Sequence, residues 1–156
     1  MLKVKIYSLG KIRQKFILDG EAEYLKRLQS SLKIEIIELQ TKKSSSQSTE
    51  LIRKNDTKYF LKQLPAAEYL IALDESAKLL DTHEFTVLFE RASVSSGSKL
   101  SFAIGGAYGW SEEIKTRVSV MLSLSPLTFS YSLARLVLVE QIYRAHSIIH
   151  GLPYSK

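Results

Sequence analysis

Three segments of the chain carry residue types that could bind a ligand or support chemistry. The first is the glycine-rich stretch from Ile104 to Gly109, IGGAYG. Glycines let the backbone turn sharply and approach a ligand without interference from a side chain. The stretch has neither the G-x-G-x-x-G fingerprint of dinucleotide-binding proteins nor the Gly-Lys-Ser/Thr of a P-loop. It predicts either a ligand-binding loop lined by backbone or a tight turn between a strand and a helix.

The second segment combines hydroxyl side chains with a proline directly after an apolar run. Its members are Leu124, Ser125, Pro126, Leu127, Thr128 and Phe129. The backbone groups of such a rigid loop can hold a flat polar ring such as adenine. The same hydroxyls also suit the N-cap of a following helix. The residues alone leave both interpretations open.

The third segment is the C-terminal end of the chain. Glu140 and Arg144 are four residues apart, so they can form an ion pair on one face of a helix. Such a pair contributes little when it is solvated. Alternatively, the fixed donors of the Arg144 guanidinium could clamp a phosphate or an anionic base. Tyr154 stands in a basic tail, where it could stack on an RNA base, although most tails simply fray.

Other kinds of site have little support in the sequence. Cysteine is absent, so there is no disulfide framework and no thiolate metal site. The histidines His83, His146 and His150 lack the spacing of metal ligands, and we expect no metal site. There is no G-x-S-x-G motif, so the sequence gives little support to a serine hydrolase.

Alternating strands and helices must position these segments. Apolar runs predict strands over Leu2–Leu9, Leu32–Leu39, Tyr69–Asp74, Leu100–Ile104 and Val118–Leu124. Helices are predicted over residues 12–29, over Ser48–Leu64, from a capping box at Asp81 and Glu84, from Ser111, and over Tyr131–His150. A polar loop, Lys42–Thr49, precedes the second helix.

This alternation predicts an α/β fold in one domain spanning residues 1–156, with a mostly parallel sheet flanked by helices. Ligands of such sheets bind at the carboxyl ends of the strands. We therefore expect the site in the loops after Asp74, at Gly105–Gly109 and at Ser123–Ser130.

Composition and charge indicate which kinds of partner the chain can bind and where it works. The chain has 156 residues and a formal net charge of +6, which attracts a polyanion. The basic residues are dispersed, so a basic face must be assembled by folding or by dimerisation. Lys11, Arg13 and Lys15 are candidates for phosphate contacts, or they are ordinary solvated side chains. Early lysines do not fit a signal peptide and the apolar runs are too short to span a bilayer, so we expect a cytoplasmic protein without a membrane segment.

Several motifs occur together in a recognisable order. They are Ala72-Leu73-Asp74, Ile104 to Gly109, Leu122 to Phe129, Glu140 to Ala145, and a terminal Pro153-Tyr154. The chain resembles, over its whole length, the RlmH-type methyltransferases of the SPOUT superfamily. The resemblance implies methyl transfer from S-adenosylmethionine to N3 of a pseudouridine in helix 69 of 23S ribosomal RNA. It also implies a homodimer and a C-terminal trefoil knot.

The resemblance also assigns roles to individual residues. It places the cofactor against Leu73, Gly105 and the loop from Leu124 to Phe129. It ties Arg144 and Tyr154 to RNA binding or catalysis.

Two departures from the family pattern remove histidines. Thr128-Phe129-Ser130-Tyr131 stands where the family has Thr-Phe-Pro-His, and Tyr154-Ser155-Lys156 stands where it ends Tyr-His-Lys/Arg. No strong general base is then evident, so either Tyr131 assists through its hydroxyl or solvent takes the proton of the base. The alternative functions are methylation of a different RNA, a non-catalytic ribosome-binding assembly protein, and a nucleotide-binding domain without an RNA role.

Overall fold

The computed structural model describes residues 1–42, 46–66 and 68–154. Part of the predicted polar loop Lys42–Thr49, and the tail residues Ser155 and Lys156, lie outside the described residues. Within them, the strands are β1 (Leu2–Leu9), β2 (Leu32–Leu39), β3 (Tyr69–Leu73), β4 (Lys99–Ile104) and β5 (Val120–Leu122). The helices are α1 (Lys15–Leu28), α2 (Thr49–Gln63), α3 (Thr82–Ser95) and α4 (Tyr131–Ile149).

The strands form one sheet in the order β2-β1-β4-β3-β5, and every neighbouring pair is parallel. The predicted α/β fold with a parallel sheet flanked by helices is confirmed. At the carboxyl edge, Leu73 of β3 pairs with both Ile104 of β4 and Leu122 of β5. The three loops expected to form a site therefore leave the sheet side by side.

The side chains of each strand alternate between two cores. On one face, Ile71 and Phe102 pack with side chains of α1, α3 and α4. On the other face, Leu70 and Ala103 pack with Phe60 of α2. The sheet is therefore covered on both faces, which explains why the sequences of β3 and β4 are almost continuously apolar.

Local capping fixes where two of the helices begin. Asp81 accepts a hydrogen bond from the backbone N–H of Glu84, and the Glu84 side chain accepts one from the backbone of Asp81. This is the predicted capping box. Ser130 caps α4, because its hydroxyl accepts from the Leu133 N–H at 3.3 Å.

The helix predicted from Ser111 begins at that point, but it is short and is not an α-helix. Only a five-residue 3₁₀ segment, Glu112–Thr116, forms there. The Ser111 N–H donates to Thr57 Oγ1 of α2 at 2.9 Å, and the Arg117 and Val118 N–H groups both fold back to the Ile114 carbonyl. The contact with Thr57 at one end and the tight turn at the other limit this segment to little more than one helical turn.

The last strand is also shorter than the predicted Val118–Leu124. It spans Val120–Leu122 because it is an edge strand paired only with the short β3. Beyond it, the Ser123 N–H donates to the Lys78 carbonyl at 2.9 Å. The chain thereby leaves the ladder and lies against the segment that follows β3.

Candidate functional site

A cavity of about 970 Å³ lies at the carboxyl edge of β3, β4 and β5. Its walls come from the segments that follow these three strands, from the start of α4 and from one residue of α2. The volume is at the upper end of what small-ligand sites usually have. The parallel topology therefore places a ligand-sized cavity where the sequence predicted it.

Most of the predicted cofactor residues line this cavity. They are Leu73, Gly105, Leu124, Ser125, Leu127, Thr128 and Phe129, and Tyr131 lines it as well. Pro126 is not among the lining residues. One cavity thus brings together the ends of three strands that are separated in the sequence by tens of residues.

The loop from Leu124 to Phe129 is held by its own hydroxyl groups. Ser123 Oγ donates to the Ser125 carbonyl at 3.0 Å, and Ser125 Oγ accepts from the Leu127 N–H at 2.9 Å. Thr128 Oγ1 donates to Glu75 Oε2 at 2.8 Å. The interpretation of these hydroxyls as the cap of α4 was wrong, because Ser130 makes that cap. The loop is instead fixed in shape before any ligand arrives.

The glycine-rich loop is both a tight turn and a wall of the cavity. A Cβ atom at Gly105 would lie 3.2 Å from Cε2 of Trp110, so a side chain there would press on the indole. Trp110 Nε1 donates to the Leu73 carbonyl at 3.0 Å. Trp110 thereby ties the end of β3 to the loop after β4, and the glycine at 105 makes room for it.

Tyr131 connects the cavity to the segment between β1 and α1. Its hydroxyl donates to the Lys11 carbonyl at 3.0 Å. Its ring lies against Gly10, which has a φ of +134°, and a Cβ at that position would lie 3.1 Å from the ring. The exposed Lys11 and Arg13 are held close to the cavity by this contact. Lys15 begins α1 and pairs with Asp19.

Arg144 and Tyr154 form a separate cluster near the other end of α4. Arg144 Nε and Nη2 donate to Glu140 Oε1 at 3.0 and 2.7 Å, and the guanidinium carbon lies 4.9 Å from the centroid of the Tyr154 ring. The Tyr154 hydroxyl lies 3.2 Å from both the Tyr24 hydroxyl and Glu140 Oε1, and its one proton can be donated to either. The ion pair considered from the sequence forms, and with side chains 23% and 17% exposed it is only partly solvated.

The cluster shifts the protonation equilibria of its members. Hydrogen bonding to Glu140 raises the pKa of Arg144. Burial, the hydrogen bond with Tyr24 and the charge of Glu140 raise the pKa of the Tyr154 phenol. Arg144 therefore keeps its charge, and Tyr154 keeps its proton and can donate it in a hydrogen bond.

The two groups of predicted site residues are not brought together within one chain. Arg144 follows Tyr131 by 13 positions on α4, which corresponds to about 20 Å along the helix axis. Neither Arg144 nor Tyr154 lines the cavity.

Sequence reasoning missed a buried charged cluster on the same helix. Arg135 is 1% exposed and donates to both carboxylate oxygens of Glu21, at 2.6 and 2.9 Å, and to Glu38 at 2.8 Å. Glu38 also accepts from the Ile12 N–H at 3.1 Å, and Ser8 Oγ donates to the Gly10 carbonyl at 3.0 Å. The cluster thus supports the same 10–14 segment that Tyr131 holds.

None of the three histidines, His83, His146 and His150, lines the cavity. The rings of His146 and His150 lie 4.1 Å apart between centroids, and burial together with His150 lowers the pKa of His146. Across residues 1–42, 46–66 and 68–154, no three His, Asp or Glu side chains are grouped as metal ligands. None of the helices in those ranges is long and apolar enough to cross a membrane.

Comparison with known proteins gives a consistent result. A family model described as "Predicted SPOUT methyltransferase" matches residues 2–155. The chain is 35% identical over 153 residues to a protein of Syntrophotalea carbinolica named ribosomal RNA large subunit methyltransferase H, covering 98% of each chain. Proteins with the same name from Streptococcus mutans and Enterococcus faecalis are 38% and 36% identical, covering 99% of this chain and all of theirs. The family model and these relatives each cover nearly the whole chain. This chain therefore belongs to the SPOUT methyltransferase family.

Proposed function

We propose that this protein methylates ribosomal RNA of the large subunit, using S-adenosylmethionine, at N3 of a pseudouridine in helix 69. The observation that carries the proposal is the cavity formed jointly by the loops after β3, β4 and β5. Full-length relatives named for methylation of large-subunit ribosomal RNA support the substrate class. The ribosomal substrate also implies work in the cytoplasm.

The cavity residues fit the cofactor. The backbone of Leu124–Phe129 is already fixed by Ser123, Ser125 and Thr128, so it can bind a flat ring with little loss of entropy. Asp74 and Glu75 supply negative charge for a cationic ligand. When bound, S-adenosylmethionine supplies a methyl group that its sulfonium already activates. The protein's main task is then to align donor and acceptor.

Arg144 and Tyr154 would act on the base. N3 lies between two carbonyl groups, and its weakly acidic proton must leave before or during attack. A nearby cation stabilises the resulting anion, and Arg144 remains charged. Tyr154 remains protonated and would orient the base through its ring and hydroxyl. Solvent would take the proton, or Tyr131 would assist through its hydroxyl, which in the free protein donates to the Lys11 carbonyl.

We further propose a homodimer, because one chain does not place Arg144 and Tyr154 at its own cavity. A two-fold axis would bring these residues of one copy to the cavity of the other. Large apolar side chains are exposed around the cavity, on α1 and α4 and just after α4: Phe16, Leu127, Phe129, Leu133 and Leu152. Such an apolar surface is typical of one that a partner covers.

The proposed fold of the C-terminal region is a trefoil knot within one domain spanning residues 1–156. The segment after β5 lies against the segment after β3, through a bridge between Leu79 and Ser123 and the Ser123–Lys78 hydrogen bond. This close apposition of two chain segments supports the proposal.

The test uses labelled S-adenosylmethionine and ribosomes from cells that lack this methylation, followed by mass spectrometry of helix 69. The expected product is one methyl group on the pseudouridine. A methyl group on another nucleotide would show a different substrate. Mixing an Arg144→Gln protein with a cavity variant, Leu127→Lys, should restore part of the activity that each lacks alone. A mixture as inactive as its components would contradict the shared site.

A non-catalytic ribosome-binding protein is the second candidate. It is favoured by Tyr131, which stands where the family has a histidine and whose hydroxyl is engaged with the Lys11 carbonyl. Cofactor binding without any methylated RNA would support this candidate and contradict the enzymatic proposal.

A further inference from the structure

Arg53 of α2 is the one residue of that helix that lines the cavity. Its Nε atom is buried and has no hydrogen-bond partner, and no carboxylate within the described ranges forms an ion pair with its guanidinium. A buried donor without a partner is costly, and native proteins rarely retain one. A ligand that offers an acceptor at this point would remove the cost.

The other cations of the cavity wall already have partners. Lys78 pairs with Glu84 at 3.4 Å, and Lys115 pairs with Glu112 at 2.7 Å. Among the described lining residues, Arg53 is therefore the cation without an acidic partner. It also lies in a recess, where water competes less for its donors.

Neither acid of α2 is paired with Arg53, and Glu50 lies 3.8 Å from the Lys54 ammonium instead. Asp56, three residues after Arg53, is directed at the glycine loop, with Oδ2 3.2 Å from the place a Cβ of Gly106 would take. Burial raises the pKa of Asp56, and the side chain of Thr41 hydrogen-bonds to it. Asp56 is thus engaged with the glycine loop and Thr41 rather than with Arg53.

The cavity also contains two carboxylates without cationic partners in the described part of the chain. Asp74 Oδ1 accepts from the N–H and the hydroxyl of Ser76, and Glu75 accepts from Thr128. The wall therefore offers one unpaired guanidinium and two unpaired carboxylates. S-adenosylmethionine carries the opposite set of charges, namely one carboxylate, one ammonium and one sulfonium.

We propose that Arg53 binds the carboxylate of the methionine moiety of the cofactor. This inference rests on the proposed function, since it assumes that the cavity takes S-adenosylmethionine. A guanidinium presents parallel donors that match a carboxylate, and such charge-assisted pairs are among the stronger hydrogen bonds. Arg53 would then select nucleosides that retain the amino-acid part.

The test compares two nucleosides by calorimetry. S-adenosylhomocysteine retains the carboxylate, whereas 5′-methylthioadenosine lacks the whole amino-acid part. Arg53→Gln should weaken binding of S-adenosylhomocysteine about ten- to a hundredfold and leave binding of 5′-methylthioadenosine unchanged. Arg53→Lys should recover part of the loss. Arg91→Gln, the same change at an exposed arginine of α3, should bind both nucleosides like the wild type.

The other outcomes overturn the proposal in distinguishable ways. Equal weakening of both nucleosides would mean that Arg53 acts on the shape of the cavity, and thermal unfolding of each variant would show whether the fold is intact. Unchanged S-adenosylhomocysteine binding with weaker, less salt-dependent RNA binding would assign Arg53 to a phosphate instead. A wild-type protein that binds neither nucleoside would contradict the proposed cofactor itself.

Discussion

Arg135 and Arg144 stand on the same helix, yet their surroundings differ in almost every respect. Arg135 is 1% exposed, and its Nε, Nη1 and Nη2 atoms donate to Glu21, Glu38 and Ser8. Arg144 is 23% exposed, and its Nε and Nη2 atoms share a single oxygen of Glu140. One guanidinium is fully committed to the fold, while the other has donor capacity left.

The contrast shows how the partners of an arginine decide its role. Burial disfavours the charge of Arg135, but hydrogen bonds to Glu21 and Glu38 outweigh it, and the pKa of the guanidinium is raised. These bonds join α4 to α1 and β2, so Arg135 acts on the structure. Arg144 instead lies under the ring of Tyr154, at the surface, where a ligand can reach it.

The largest expected effect is on the stability of an Arg135→Met protein. The substitution leaves the buried Glu21 and the half-buried Glu38 without their cation, and removing one partner of a buried pair typically costs about 3–5 kcal/mol. Urea denaturation measures the free energy of unfolding.

A second substitution separates lost charge balance from lost packing. Adding Glu21→Leu to Arg135→Met removes the stranded carboxylate and should recover part of the stability. If Arg135→Met cost less than about 1 kcal/mol, the cluster would contribute no more than a typical surface ion pair. Stability would then not distinguish Arg135 from Arg144.

The next effect is on catalysis by an Arg144→Gln protein. If Arg144 stabilises the anionic base, its loss should lower kcat about 10²- to 10³-fold, as does removal of one preorganised donor. The free energy of unfolding should change by less than about 1 kcal/mol, because the Glu140 pair lies near the surface. Single-turnover methylation and urea denaturation measure the two quantities.

Arg27 provides a matched control for this prediction. It also pairs with a glutamate four residues away, Glu23, and its guanidinium lies 5.7 Å from the centroid of the Tyr143 ring. Arg27→Gln should methylate at the wild-type rate. Equal losses in the Arg27 and Arg144 variants would attribute the effect to general charge rather than to the position of Arg144.

A smaller effect is expected for Tyr154→Phe. The variant keeps the ring over Arg144 but loses the hydrogen-bonding contacts with Tyr24 and Glu140, and a partly exposed hydrogen bond is worth about two- to tenfold in rate or affinity. Tyr24→Phe should reproduce part of that loss if the hydroxyl positions the ring. A Tyr154→Phe protein with a loss as large as that of Arg144→Gln would show that the hydroxyl itself takes part in the chemistry.

The sequence was sufficient to predict the order of strands and helices and the edge of the sheet at which the cavity lies. Alternating apolar runs gave β1 and β2 at their observed bounds, and Asp81 and Glu84 gave the start of α3. Strand ends in a parallel sheet converge by topology, so the three loops could be grouped without coordinates.

Contacts between distant residues set the limit of that prediction. The donors of Arg135 reach Glu21 and Glu38, which precede it by 114 and 97 positions and leave no local pattern. The 3₁₀ segment after Ser111 depends on Thr57, which lies on another helix. Arg53 likewise reads as an ordinary residue of an amphipathic helix until α2 is placed against the cavity.

The smallest predicted effect is a dependence of stability on acid pH through His146, a third basic side chain of α4. His146 is 5% exposed, and burial together with the neighbouring His150 lowers its pKa below the usual value. The unfolded chain then binds a proton more readily than the folded chain. Stability should therefore fall as the pH drops below about 6.5, through the range between the two pKa values.

Replacing His146 with glutamine should flatten this acid-side dependence, and the free energy of unfolding measured between pH 7 and pH 5 tests it. His83→Gln, the same change at the exposed start of α3, provides the matched control because it leaves the buried His146 in place. An unaltered slope in His146→Gln would assign the pH dependence to other groups. A flattened slope would extend the comparison of the two arginines. Burial lowers the pKa of His146, which has no acidic partner among the described residues, whereas hydrogen bonds to two carboxylates raise the pKa of Arg135 despite its burial.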